Sequence, residues 1–212
     1  MITDNEKKDF QNLNIKNVDI NLVIYDENKN ENYRLYDFLS NFKLKDVEKS
    51  PWMLKIDDDC YNNIKLTCDY LSQYDHKQDH YIVGKNIRNE NNRAEINALK
   101  NCNLFEKIDK KWMHELEYCA FSQGAFKKII SNDDCLKLFK EFSNINKEKK
   151  QGYTDQLMGA AAKLCEIYPI DTEVIVYDMR KRNVNSIENY IHLHPIIDYF
   201  EQIVEKTFKR II

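Results

Sequence analysis

Short apolar runs of strand length alternate along this chain with segments whose apolar residues recur every three to four positions. That alternation is what most narrows the fold. Val18–Tyr25, Trp52–Ile56, His80–Gly84, part of Trp112–Phe121 and Thr172–Tyr177 read as strands. Helices are expected over Tyr33–Phe42, from Ile64 to Tyr74, around Phe126, Ile129 and Ile130, over Asp133–Phe142, and from Thr154 or Asp155 to Cys165. A last helix is expected over Ile196–Phe208. Asn62 or Asn63 suits the cap of the second helix, whose Ile64, Cys68 and Leu71 would share its buried face. Asp26–Asn32 and the polar run Ser143–Gly152 read as loops, and residues 1–17 as loose. The expected fold is α/β, a mainly parallel or mixed central sheet flanked by helices. With 212 residues the chain is long enough for one core and marginal for two, so a single domain over residues 1–212 is expected.

Several function classes drop out on composition. Thirty-two basic residues against 35 acidic ones leave a net charge of −3, which gives no basis for binding nucleic acid or an anionic membrane. No run approaches the 18 or so apolar residues of a membrane span, and the N-terminus lacks the apolar segment of a signal peptide. The chain therefore reads as soluble and cytoplasmic or otherwise intracellular, and as Golgi- or membrane-associated only if an N-terminal anchor was removed. Six cysteines are spread widely without a CxxC pair, and Cys68 and Cys165 fall at core-like helical positions, so reduced core thiols are expected. GxGxxG, Walker A and HExxH motifs are absent, as is the Gly-Ser elbow of the serine hydrolases.

The residues that could carry chemistry are few. Trp52-Met-Leu-Lys-Ile-Asp-Asp-Asp-Cys60 runs a strand straight into three adjacent carboxylates. Like charges side by side repel, and a divalent cation such as Mn²⁺ or Mg²⁺ would relieve that repulsion. On an extended backbone Asp57 and Asp59 point one way and Asp58 the other. Surface acidity next to a helix cap would also account for the triplet. His192 and His194 alternate in Ile191-His-Leu-His-Pro195, which puts both imidazoles on one side, where either could complete a metal's ligand set or simply sit on a polar edge strand. Asp155 stands at a helix N-terminus, a place that favours its charge and also suits a general base. Gly124 lies between a strand and a helix, where backbone N–H groups can face a ligand. His76 and His80 read as exposed loop groups and His114 as structural. Trp112, Tyr118, Phe121 and Tyr153 read mostly as core aromatics, with a stacking platform for a ligand ring as the alternative.

Taken in order, four blocks resemble the fringe-like β-1,3-glycosyltransferases. Trp52-Met-Leu-Lys-Ile-Asp-Asp-Asp-Cys-Tyr-Asn-Asn63 followed by Tyr81-Ile-Val-Gly84 resembles the family's metal-binding block, an aromatic-rich strand with Lys and an aspartate triplet. Tyr118-Cys-Ala-Phe-Ser-Gln-Gly-Ala-Phe126 with Ile130-Ser131 resembles its Ser-Gly-Gly block. Tyr153-Thr-Asp-Gln-Leu-Met-Gly159 with Ala162-Lys-Leu164 resembles its block of an acidic residue, Asp, an apolar residue and Gly, and Ile191-His-Leu-His194 its late histidine segment. The resemblance spans roughly residues 50–195.

The resemblance implies a GT-A-like nucleotide-diphospho-sugar transferase fold. It also implies a UDP-sugar donor, a divalent metal (normally Mn²⁺) and inversion at the anomeric carbon, with a glycan or glycosylated acceptor. By position, Asp59 resembles the main metal ligand, Asp57 and Asp58 its neighbours near ribose and sugar, and Asp155 the general base. His192 or His194 resembles the late metal ligand, and Lys55 and Gly124 fall in the donor-binding blocks. The chain departs from the pattern at Gln123, where the family has its first Gly, and at Thr154, where it has an acidic residue. Only about 50 residues precede the triplet, fewer than in the family, so the supporting N-terminal half is pared down or the chain is a fragment. Two rivals use the same residues: a metal-dependent phosphate-ester hydrolase, and a degenerate family member serving as a binding or assembly module.

Overall fold

The computed structural model of the protein describes residues 31–41, 44–56, 60–84, 118–144, 154–176 and 190–193. The chain forms helix α1 (Glu31–Asn41), a short α2 (Leu44–Val47), strands β1 (Trp52–Ile56) and β2 (Tyr61–Asn62), α3 (Ile64–Leu71), β3 (Tyr81–Gly84) and β4 (Tyr118–Ser122). It continues with α4 (Gln123–Ile130), α5 (Asp133–Asn144), α6 (Thr154–Leu164), β5 (Pro169–Thr172), β6 (Ile175–Val176) and β7 (His192–Leu193). The strand expected over Val18–Tyr25, the helix over Ile196–Phe208 and the loose residues 1–17 lie outside the described residues.

Four strands make one sheet in the order β1-β4-β3-β5. β4 is antiparallel to β1 and β3, and β3 is parallel to β5, so the sheet is mixed as expected. Side-chain alternation gives each face its own core. Met53, Cys119, Phe121, Tyr81 and Val83 turn to one face and pack under α1, α4, α5 and α6. Trp52, Leu54, Ala120, Ile82 and Ile170 turn to the other, where Leu66, Tyr70, Leu71 and Tyr74 from α3 and its C-terminal turn cover them with Ile175 and Ile191. Phe121 stacks on Tyr81 with ring centroids 4.4 Å apart, and both are fully buried. Core packing, the role expected for most of the four aromatics, thus accounts for Phe121.

The helices on the first face follow their sequence patterns. Phe126, Ile129, Ile130, Cys135, Leu138, Phe139, Phe142, Leu157, Met158 and Ala161 are all buried. Asn132 caps α5, its Oδ1 accepting from the N–H groups of Asp134 and Cys135 at 2.9 and 3.2 Å. α6 ends in a Schellman turn: the Ile167 N–H donates to Ala162 O and the Glu166 N–H to Lys163 O, both at 2.9 Å. Glu166 takes the left-handed backbone (φ 56°) that a glycine usually supplies there.

Four local expectations need correction. The strand read over Thr172–Tyr177 is two: a turn at Glu173 and Val174 separates β5 from β6, which belongs to a second sheet. Ser143 and Asn144, read as the start of a loop, belong to α5, where Ser143 is buried with its hydroxyl donating to Lys140 O at 2.7 Å; residues 145–152 of that run lie outside the described ones. In α3 the buried residues are Thr67 and Leu71, while Ile64 is 62% exposed and Cys68 is exposed. Thr67 can be buried because its hydroxyl donates to Asn63 O at 2.8 Å inside the helix turn. His80, read as an exposed loop group, stacks on Trp52 and meets the edge of Tyr74, with centroids 6.4 and 5.4 Å away. Its neighbours come from β1 and the end of α3, which local sequence does not reveal.

Candidate functional site

β1, β3 and β5 all point the same way, so Ile56, Gly84 and Thr172 end at one edge of the sheet. In open α/β sheets ligands gather outside that carboxyl edge. The Asp57-Asp58-Asp59 triplet leaves β1 there, and its three residues lie outside the described ones. Just past the triplet, Tyr61 and Asn62 form β2, which pairs antiparallel with β7 so that Asn62 faces His192 and Tyr61 faces Leu193. β7 pairs in parallel with β6, joining His192 to Ile175 and Leu193 to Val176.

Two further backbone bonds fasten this small sheet. The Asn63 N–H donates to Ile191 O at 2.9 Å, and the Ile191 N–H donates to Val174 O at 2.7 Å. Asn63 also caps α3, its Oδ1 accepting from the Leu66 N–H at 3.0 Å. Ile191 is buried in the second core. The backbone of His192 is thus held opposite Asn62, three residues past Asp59, at the roughly 5 Å Cα separation of an antiparallel pair. His194 lies outside the described residues, and for His192 the backbone position alone is described. Asn62 and Asn63, singled out in the sequence as cap candidates, also carry the backbone that faces the late histidine segment: Asn63 is the cap, and Asn62 is the strand partner of His192.

Lys55 is the penultimate residue of β1, half-buried, on the face that also carries Met53. It lies two residues before Asp57. Asp155 is the second residue of α6, and its backbone alone is described. The last turn of α6 lies at the sheet's far edge, where the chain enters β5 at Pro169 and where Lys128 pairs with Asp79, just before β3, at 2.7 Å. An 11-residue helix is about 16 Å long, so Asp155 in its first turn lies most of that length from the last turn of α6.

Gly124 occupies the far edge instead. Trp52 pairs with Ser122, so the start of α4 sits by the beginning of β1, roughly 13 Å along the strand from where the triplet departs. The first N–H groups of α4 are already used. Gln123 donates to Pro51 O at 2.8 Å, Gly124 to His76 O at 3.0 Å, and Ala125 to the capping Ser122 Oγ at 3.2 Å. A Cβ on Gly124 would collide with Lys77 O and come within 2.8 Å of Gln78 O, so close backbone packing accounts for the glycine. Gln123, the departure from the family pattern, turns its side-chain amide to Val47 O and Ser50 O at 3.2 and 3.3 Å. It fastens α2 and the approach to β1.

Among the described residues no three His, Cys, Asp or Glu side chains converge as a metal site, and no helix is long and apolar enough to cross a membrane. The residues in question for a cation are the triplet and the late histidines. Carboxylate oxygens suit Mn²⁺ or Mg²⁺, an added imidazole suits Mn²⁺ of the two, and the β2–β7 pairing joins Tyr61 and Asn62, which follow the triplet, to Leu193 and His192.

Compared with known proteins, residues 2–136 match the Fringe-like family model. The matched stretch contains Lys55, Asp57, Asp58, Asp59 and Gly124, and it takes in residues 2–49, which the motif resemblance leaves out. Asp155, His192 and His194 lie beyond it. No curated protein and no solved structure gives a significant match.

Proposed function

The chain belongs to the Fringe-like family of glycosyltransferases, and from that premise we propose that it is an inverting, metal-assisted transferase acting from a UDP-sugar. A hexose or N-acetylhexosamine passes to an acceptor hydroxyl of a glycan and forms a β-linkage. Residues 1–212 act in this reading as one GT-A-like domain. The observation that carries it is the strand pairing of Asn62 with His192, because it joins the chain leaving the aspartate triplet to the late histidine segment.

Asp59 and Asp57, with His194 or His192, would hold Mn²⁺ or Mg²⁺. Such a cation, when bound, supplies positive charge against the diphosphate leaving group. Lys55, beside the triplet, adds a fixed cation for the donor phosphates, and Asp58 serves the ribose or sugar hydroxyls. Asp155, at the start of α6, accepts the proton of the acceptor hydroxyl. The acceptor oxygen bonds to the anomeric carbon as the bond from that carbon to the diphosphate oxygen breaks. UDP leaves with the bonding pair, and the configuration inverts. Gly124 has no part in this reading, since its N–H is already bonded to His76 O.

Calorimetric titration of UDP into the purified protein, with Mn²⁺ and with EDTA, tests the reading on wild type and Asp59→Ala. UDP binding is expected to need the metal and to fall at least tenfold in the variant. UDP binding that is equal with and without metal, or no UDP binding at all, would overturn it. Nucleotide hydrolysis without any acceptor would point instead to phosphate-ester chemistry. Unchanged function in Asp59→Ala and Asp155→Ala would point to a binding module.

A further inference from the structure

Cys135 and Cys165 come from different helices, yet their sulfurs lie 3.5 Å apart. Cys135 sits in the first turn of α5 and is fully buried, and Cys165 follows the last residue of α6 and is 5% exposed. Both are free thiols. We propose that this pair is an internal thiol–disulfide site, closed by exchange with a small disulfide of the glutathione type, that ties the start of α5 to the end of α6.

The setting gives the two sulfurs different parts. Cys135 Sγ lies 3.5 Å from both Ala161 O and Cys165 Sγ, so its one S–H can face the carbonyl while both sulfurs are thiols and turn to Cys165 once that sulfur is a thiolate. The hydrogen bond to Cys165 and full burial both push the Cys135 thiol up. Cys165 is held below the usual thiol range by that same hydrogen bond, and further by the Lys128 ammonium and Asn132. It is therefore the sulfur that ionises first and the one nearer to solvent. Its thiolate attacks one sulfur of the small disulfide, forming a mixed disulfide and releasing one small thiolate. Cys135 then attacks Cys165 Sγ, its proton passing to the departing small thiolate, which leaves as the second small thiol. Two protein thiols lose two electrons and two protons, and one small disulfide becomes two thiols.

Closing from 3.5 Å to the roughly 2.05 Å of a bond needs a modest shift of one sulfur. The α6 end can supply it. Cys165 lies past the last residue of the helix, next to the left-handed Glu166, so movement there spares the helix interior. The two cysteines are 30 residues apart, a loop long enough for the bridge to restrict the unfolded chain substantially.

The test uses the full chain, purified reduced, incubated folded with oxidised glutathione, quenched with N-ethylmaleimide and mapped by mass spectrometry. A Cys135–Cys165 linked peptide is expected, with exposed Cys68 carrying glutathione in the same sample. The thermal midpoint should rise by on the order of 5–10 °C and fall back on reduction. Cys135→Ala should leave Cys165 as a mixed disulfide, and Cys165→Ala should leave Cys135 untouched. The proposal is overturned if both cysteines are recovered as alkylated thiols while Cys68 is modified. It is equally overturned if the bridge forms only in denaturant or joins other cysteines. Should the alanine variants not fold, wild-type peptide mapping in the native state decides the matter alone.

Discussion

A single atom explains Gly124 better than any ligand does. The helix start presses on the backbone carbonyls of Lys77 and Gln78, and only a residue without Cβ leaves them room. Those carbonyls belong to the chain just before β3, so they cannot swing aside as a long side chain could. Gly124→Ala is therefore expected to cost about 2–3 kcal/mol, read as a lowered urea midpoint with an unchanged slope. A fully stable alanine variant would show that the segment yields easily. Ser122 beside it is bound as closely. Its hydroxyl donates to Gln78 O at 2.5 Å and accepts from the N–H groups of His80 and Ala125. The Ser-Gln-Gly string was legible as a strand-to-helix junction. Its neighbours, residues 76–80, were not, because they approach from another part of the chain.

Helix α3 illustrates how an element's surroundings override its pattern. Ile64, Cys68 and Leu71 are spaced as a buried stripe, but Asn63 is fixed by both its cap and its bond to Ile191. With the start of the helix so fastened, Thr67 and Leu71 turn inward and Ile64 turns out. The C-terminal turn carries Tyr70 and Tyr74, whose hydroxyls meet at 3.2 Å. That hydrogen bond, helped by partial burial, pushes the Tyr74 phenol up to about 12. A raised phenol favours the neutral form in the folded state. The stabilisation is therefore complete below the ordinary value of 10.0 and is lost as pH rises through about 12. Wild type should lose its advantage over Tyr70→Phe across that window, measured as urea midpoints at a series of pH values. Parallel curves for the two proteins would remove the hydroxyl pair as the cause.

At the scale of the molecule, most of the buried apolar side chains among the described residues lie on one face of the main sheet. Phe139 and Phe142 of α5, Phe126 of α4 and Leu157 of α6 are buried there against Phe121 and Tyr81. Truncating Phe139 removes a fully buried ring from among three helices, so Phe139→Ala should cost about 3–5 kcal/mol. Ile64→Ala, on the exposed side of α3, should stay within about 0.5 kcal/mol. Thermal or chemical melts of the two variants check the contrast, and similar losses at both positions would place Ile64 in a core. The same architecture sends the ends of β1, β3 and β5 to one edge and leaves the far edge to the junction around Gly124.

Sequence by itself determined the elements whose signal is local. Trp52–Ile56 forms a strand with the expected bounds, and α4, α5 and α6 bury the residues that helical spacing selects, save the half-buried Leu164, because periodicity records which side of an element must leave water. The aspartate triplet and its block order likewise pointed to the family. Tertiary structure alone decided which elements meet. β2 and β7 are two residues each, too short to carry any periodic signal, and their pairing rests on hydrogen bonds between segments far apart in the chain. The Cys135–Cys165 contact has the same origin: two helix ends brought together by the core between them, with no spacing in the sequence to announce it.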